Sequence, residues 1–103
     1  MDSQLDTIAK RLSELGHPTR LGIFRLLVQA GNDGLPVGDI QQRLGIPAST
    51  LSHHLARLVQ ADLIVQQRNK NTLFCQPCFP VLQETLNFML QECCQGVKDG
   101  DGI

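Results

Sequence analysis

The sequence predicts a mainly α chain with one small β-hairpin, and three observations carry that expectation. Apolar residues recur at helical spacing in five stretches. Two of the central stretches are parted by a tight turn containing glycine. One pair of strand-like segments flanks a short polar turn. The chain has 103 residues, 42% apolar and 18% charged, which fits one domain and excludes intrinsic disorder. No apolar run approaches the ~20 residues of a membrane-spanning helix. The acidic, polar start Met1-Asp2-Ser3-Gln4-Leu5-Asp6 does not read as a signal peptide. A cytoplasmic protein with no membrane partner is therefore expected. There the four cysteines stay reduced and serve as ligands or sensors rather than structural disulfides.

In chain order, Leu5, Ile8, Leu12 and Leu15 make one face of a helix over residues 3–15, with Ser3 as N-cap and Gly16 as stop. Pro18 suits the first turn of a second helix through Leu21, Phe24, Leu27 and Val28 to about Ala30. That helix is apolar nearly all round, which places it at the centre of the core. Gly31-Asn32-Asp33-Gly34 is a turn cluster. A short helix from Val37 to Leu44 then turns Val37, Ile40 and Leu44 inward. Gly45 breaks it, and Ile46-Pro47 leads into a helix over about residues 48–61. Leu63 to Gln67 reads as a strand, Arg68 to Asn71 as a turn in which Asn69 and Asn71 tolerate left-handed backbone, and Thr72 to Cys75 as a returning strand. The last helix is expected from Pro80 to Cys94, with Leu82, Leu86, Met89 and Cys93 on one face. The domain then spans 1–95, and 96–103 is a flexible tail.

The net charge of −1 hides an uneven distribution. Residues 40–72 carry Arg43, Arg57, Arg68 and Lys70 against Asp62 alone, a balance of +3, while both flanking segments are acidic. In the second helix of the pair, Leu51, Leu55 and Leu58 share one face. The opposite face presents Ser49, Ser52, His53, Ala56, Arg57 and Gln60, with Thr50 at its border. Hydroxyls, an imidazole and a guanidinium are groups of the right reach for phosphates and base edges. A basic hairpin tip follows directly, where Arg68 and Lys70 can touch backbone phosphate. A helix-turn-helix followed by such a hairpin is a winged-helix arrangement. Double-stranded DNA is the partner it points to.

Three motifs resemble the arsenic-repressor (ArsR/SmtB) family of winged-helix metalloregulators. The first is Leu15-Gly16-His17-Pro18-Thr19-Arg20-Leu21 with Ile23-Phe24-Arg25-Leu26-Leu27. The second is Ser49-Thr50-Leu51-Ser52-His53-His54-Leu55-Ala56-Arg57-Leu58, leading into Ala61-Asp62-Leu63-Ile64. The third is Phe88-Met89-Leu90-Gln91-Glu92-Cys93-Cys94, similar to the cysteine-pair ending of one arsenic-sensing branch. The resemblance covers about residues 5–95. It implies a homodimeric repressor, paired through its first and last helices, whose recognition helices enter successive major grooves of operator DNA. A Leu82/Leu86/Met89 stripe on the last helix of so short a chain needs a partner, which agrees with a dimer. Helix-start and DNA-binding motifs account for His17, His53 and His54.

Within the family, one metal site uses a Cys-x-Cys in the segment matching Val37–Leu44, and another uses a histidine on the last helix. Neither set is present here. Cys75, Cys78, Cys93 and Cys94 remain. Trivalent arsenic is soft and prefers two or three thiolates. The resemblance makes Cys93 and Cys94 ligands, although neighbours on a helix diverge by about 100° and can embrace one atom only if the helix frays. The tail from Gln95 to Gly102 has no cysteine, a departure from the branch, so a third ligand must come from Cys75 or, alternatively, Cys78, while two-thiolate binding of a monomethylated arsenical stays open. The expected effector is a trivalent arsenical, inorganic or methylated, and no cofactor is required. A thiol-redox or persulfide sensor using the same cysteines stays open. An enzyme is not expected: there is no phosphate loop, nucleophile elbow or paired-carboxylate cleft. Cys75-Gln76-Pro77-Cys78 also lacks the βαβ context of a redox motif.

Overall fold

The computed structural model describes residues 3–97. The elements run α1 (Ser3–Leu15), α2 (Pro18–Ala30), a 3-10 turn (Gly31–Asp33), β1 (Leu35–Pro36), α3 (Val37–Leu44), α4 (Ala48–Gln60), β2 (Ile64–Asn69), β3 (Thr72–Pro77) and α5 (Phe79–Leu90). His17 starts α2: its Nδ1 accepts the Thr19 N–H at 3.2 Å, and Pro18 fills the first helical turn. Between α3 and α4, Gly45 adopts φ 65° and donates its N–H to the Gln41 carbonyl at 2.8 Å. That left-handed cap is favourable for glycine, and extended Pro47 launches the next helix. The helix-turn-helix is thus set by local backbone chemistry.

The core joins Ile23, Phe24 and Leu27 of α2 to Ile40 of α3 and to Leu51, Leu55 and Leu58 of α4. Leu63, Ile64 and Cys75 close it from the sheet side. Burying several such side chains, each worth about 1.5–3 kcal/mol, holds the layers together. α2 is central but not buried all round, because Leu21 stays exposed on its outer side.

Four features differ from the sequence reading. The sheet has three strands in the order β1-β3-β2, because Leu35 and Pro36 pair antiparallel with Cys75 and Phe74. Gly34 permits this approach. Its φ is +69°, and a Cβ there would lie 2.2 Å from the Cys75 carbonyl oxygen. The wing strands are longer than expected: Asn69 pairs with Thr72, leaving Lys70-Asn71 as the turn. The left-handed residue in it is Lys70, at φ 57°, rather than either asparagine.

The fourth difference is α5, which ends at Leu90 rather than Cys94. Met89 and Leu90 are exposed, so among the described residues the end of the apolar stripe finds no cover to hold a further helical turn. Of the expected tail, Gly96 and Val97 are exposed, and 98–103 lie outside the described residues. Among the described residues, no helix is long and apolar enough to cross a membrane.

Candidate nucleic-acid interface and thiol pair

α4 sorts its residues as its spacing requires. Leu51, His54, Leu55 and Leu58 are buried, while Ser49, Thr50, Ser52, His53, Ala56, Arg57 and Gln60 are exposed. The structure therefore brings Ser49, Thr50, Ser52, His53 and Arg57 onto the outer surface of one helix. Arg68 and Lys70 lie exposed at the end of the β2–β3 hairpin that follows it. Hydroxyl, imidazole and guanidinium groups on a rigid helix, with two cations on an adjacent wing, form a surface suited to phosphate and base-edge contacts.

His54 corrects the sequence reading, which grouped it with the DNA-binding motif. It is buried and faces the start of α2 instead: its Nδ1 lies 3.3 Å from Arg20 Nη1, and its ring centroid lies 4.7 Å from that of His17, the α2 N-cap. Burial holds the His54 pKa below its ordinary value, and neighbouring His17, Arg20 and His53 push it in the same direction. The neutral ring accepts from the permanently charged arginine. The helical spacing already contained this placement, since residue 54 lies three after Leu51 and four before Leu58.

Arg57 is only partly turned to solvent. Its Nε donates to both carboxylate oxygens of Glu14 at 3.1 Å, and its Nη2 lies 3.0 Å from Glu14 Oε2. Arg20 joins the same carboxylate through Nη2 at 3.4 Å, and its Nε donates to the Glu14 main-chain oxygen at 2.9 Å. The hydrogen bond from Arg57 holds the Glu14 carboxyl below its ordinary pKa, against the opposing effect of burial. Glu14 and Arg20 escaped the sequence reading of this surface. No local pattern links position 14 to position 57.

The thiols fall into two groups. Cys75 is fully buried in β3, and its Sγ accepts from Gln66 Nε2 at 3.5 Å. Burial raises its pKa, so it stays a thiol. Cys78 is half-buried in the connection just before α5. Cys93 and Cys94 are exposed, in turns beyond α5 rather than in the apolar stripe. Positive φ angles at Glu92 (59°) and Cys94 (64°) replace the helical divergence of neighbouring side chains, and the two Sγ atoms lie 3.0 Å apart. That contact raises the pKa of the Cys93 thiol. Among the described residues, no three or more Cys, His, Asp or Glu side chains gather into a group able to hold a metal ion. The fold brings Cys93 to Cys94 but joins neither Cys75 nor Cys78 to the pair.

Comparison with known proteins agrees with this geometry. A helix-turn-helix domain family model matches residues 15–67. The transcriptional repressor SdpR of Bacillus subtilis (strain 168) is 33% identical over 95 residues, covering 92% of this chain and 99% of that protein. A putative arsenical resistance operon repressor, ArsR2 of Halobacterium salinarum, is 32% identical over 78 residues, covering 74% of this chain and 65% of that protein. Among solved structures, an ArsR-like transcriptional regulator from Rhodococcus sp. RHA1 shares the fold with a TM-score of 0.79 at 16% identity, over 91% of this chain and 86% of that one. These relatives are transcriptional regulators, not enzymes. With the helix-turn-helix, the wing, a repressor relative matched over nearly its whole length and an ArsR2 relative at 32% identity, this chain belongs to the ArsR/SmtB family of winged-helix, DNA-binding transcriptional repressors.

Proposed function

We propose that this repressor leaves operator DNA when a trivalent arsenical bonds to Cys93 and Cys94. The observation that carries the reading is their 3.0 Å sulfur separation on an exposed turn. Two thiolate bonds of about 2.3 Å, the length thiolates take to zinc, set at roughly a right angle hold two sulfurs about 3.3 Å apart. The pair is thus within a few tenths of an ångström of a chelating geometry. The exchange balances: a methylarsonous acid, CH3As(OH)2, and two thiols give CH3As(SR)2 and two waters. Arsenic stays trivalent throughout. Softness favours thiolate over the oxygen ligands it replaces. The relative named for arsenical resistance, ArsR2, supports the same direction.

Two thiolates are what this arrangement supplies. Cys75 would complete a three-sulfur set only by leaving the core, where it has no exposure, and Cys78 would have to move with the chain at the start of α5. Arsenicals with two exchangeable oxygens are therefore favoured over inorganic arsenite. The proposed working form is a homodimer. Exposed Leu12 on α1 and Leu86, Met89 and Leu90 on α5 leave an apolar surface whose burial would stabilise a second copy. In that form two copies of α4 and the wing face DNA, with Ser49, Thr50, Ser52, His53, Arg68 and Lys70 as contacts. Binding of the ligand to the form with lower operator affinity couples the two sites.

Native mass spectrometry of the reduced protein with methylarsonous acid tests the ligand set. One arsenic per chain with loss of two waters is expected, absent in Cys93→Ser and in Cys94→Ser. Undiminished uptake in both variants would overturn the assignment.

A further inference from the structure

Arg57 lies on the surface that faces DNA, yet the edge of its guanidinium formed by Nε and Nη2 is committed to Glu14, 43 residues earlier in the chain. We propose that Glu14 is a positioning residue for operator binding. Its buried carboxylate, through Arg57 and Arg20, fixes the orientation of the recognition helix α4 against α1 and α2.

The geometry is specific. The Glu14 side chain retains 5% of its exposure and that of Arg20 11%, so the carboxylate and one of its guanidinium partners sit in a largely dry corner. Arg57 meets the carboxylate with two nitrogens, a planar contact that restrains direction as well as distance. One helical turn earlier on α4, His54 packs into the same corner at 3.3 Å from Arg20. Two side chains of α4, three residues apart, are therefore held by one residue of α1 and one of α2. A carboxylate in this position is not an inexpensive way to stabilise a fold, because desolvation offsets much of its attraction. What such a network supplies is a defined orientation.

Orientation matters here because the groups presented by α4 are short. Ser49 and Ser52 reach only a few ångströms from the backbone, and a hydrogen bond weakens steeply once its distance and angle are lost. A small rotation of α4 would withdraw them while leaving the core residues Leu51, Leu55 and Leu58 packed. Glu14 is then expected to act on operator affinity without touching DNA.

The sign of the effect separates this from a direct contact. Glu14 is negative, so if it were a bystander, neutralising it would strengthen attraction to DNA and free Arg57 for a phosphate. A positioning role gives the opposite result. The test is fluorescence anisotropy at several KCl concentrations with Glu14→Gln, Arg57→Gln and the double variant. The probe is a labelled duplex selected from a random-sequence pool by the wild-type protein.

Each single variant is expected to lose roughly tenfold in affinity with the wild-type salt slope, and the double variant to lose no more than the worse single, as for two residues acting as one unit. The proposal is overturned if Glu14→Gln binds as tightly as the wild type or more tightly. It is equally overturned if Arg57→Gln lowers the salt slope by about one per chain, the signature of a lost phosphate contact. A fall in melting temperature with unchanged operator affinity would also overturn it, by leaving Glu14 a purely structural role. Should Glu14→Gln fail to fold, the half-exposed Arg57 still allows the slope of Arg57→Gln to decide.

Discussion

The sulfurs of Cys93 and Cys94 lie 3.0 Å apart although the residues are adjacent in sequence, because α5 ends at Leu90 and the chain turns through left-handed backbone at Glu92 and Cys94. In a continuing helix the two side chains would diverge by about 100° and share a ligand poorly. The end of the helix is therefore part of the thiol pair's chemistry.

Cys75 separates two ligand sets. It is fully buried and bonded to Gln66, so Cys75→Ala removes core packing without touching the exposed pair. A loss of about 1 kcal/mol in stability is expected from the missing sulfur contacts. Arsenical uptake should be unchanged. Isothermal denaturation and mass spectrometry on the same variant check both parts, and lost uptake would restore Cys75 as third ligand.

Lys70 occupies the left-handed position of the wing turn at φ 57°. Lys70→Asn suits that backbone and removes one cation, so the wing should fold as before. Operator affinity should fall with a salt slope smaller by about one per chain, since one phosphate contact is lost. An unchanged slope would take Lys70 off the DNA surface.

His54 gives a pH dependence whose sign can be worked out. Burial depresses its folded-state pKa below the ordinary 6.5, so the unfolded chain binds the proton more readily than the folded one. Its contribution to stability is thus fully present above pH 6.5 and is lost as pH falls from there through the lower folded-state value. Protonation would also set a cation 3.3 Å from Arg20 Nη1. Chemical denaturation between pH 7.5 and about 5 should show declining stability in wild type and a flatter profile in His54→Gln. Equal slopes would contradict the assignment.

The fold was legible where local chemistry decides it. Gly45 and Pro47 bound the turn of the helix-turn-helix, and the spacing of Leu51, Leu55 and Leu58 oriented α4 with its polar face outward. β1 was not legible, because two residues carry no period and one of them is proline. Its signal lies instead in Gly34, which alone lets the strand approach Cys75. The end of α5 was hidden for a different reason. Leu82, Leu86, Met89 and Cys93 keep helical spacing with no breaker before Gly96, and only exposure in three dimensions shows that a further turn has nothing to pack on among the described residues. The corner of Glu14, Arg20, His54 and Arg57 is a tertiary contact. Spacing exposes only one of its members, His54, between Leu51 and Leu58.

The central claim, that a trivalent arsenical at Cys93 and Cys94 releases this repressor from DNA, is tested most directly by anisotropy of the protein bound to its selected duplex. Methylarsonous acid is added under reducing conditions to wild type, Cys93→Ser and Cys94→Ser. Release from wild type, with an affinity loss of roughly tenfold or more and no release from either variant, is the expected result. Retention of DNA by wild type at saturating arsenical, with release instead on adding a peroxide that oxidises the two thiols to a disulfide, would contradict it.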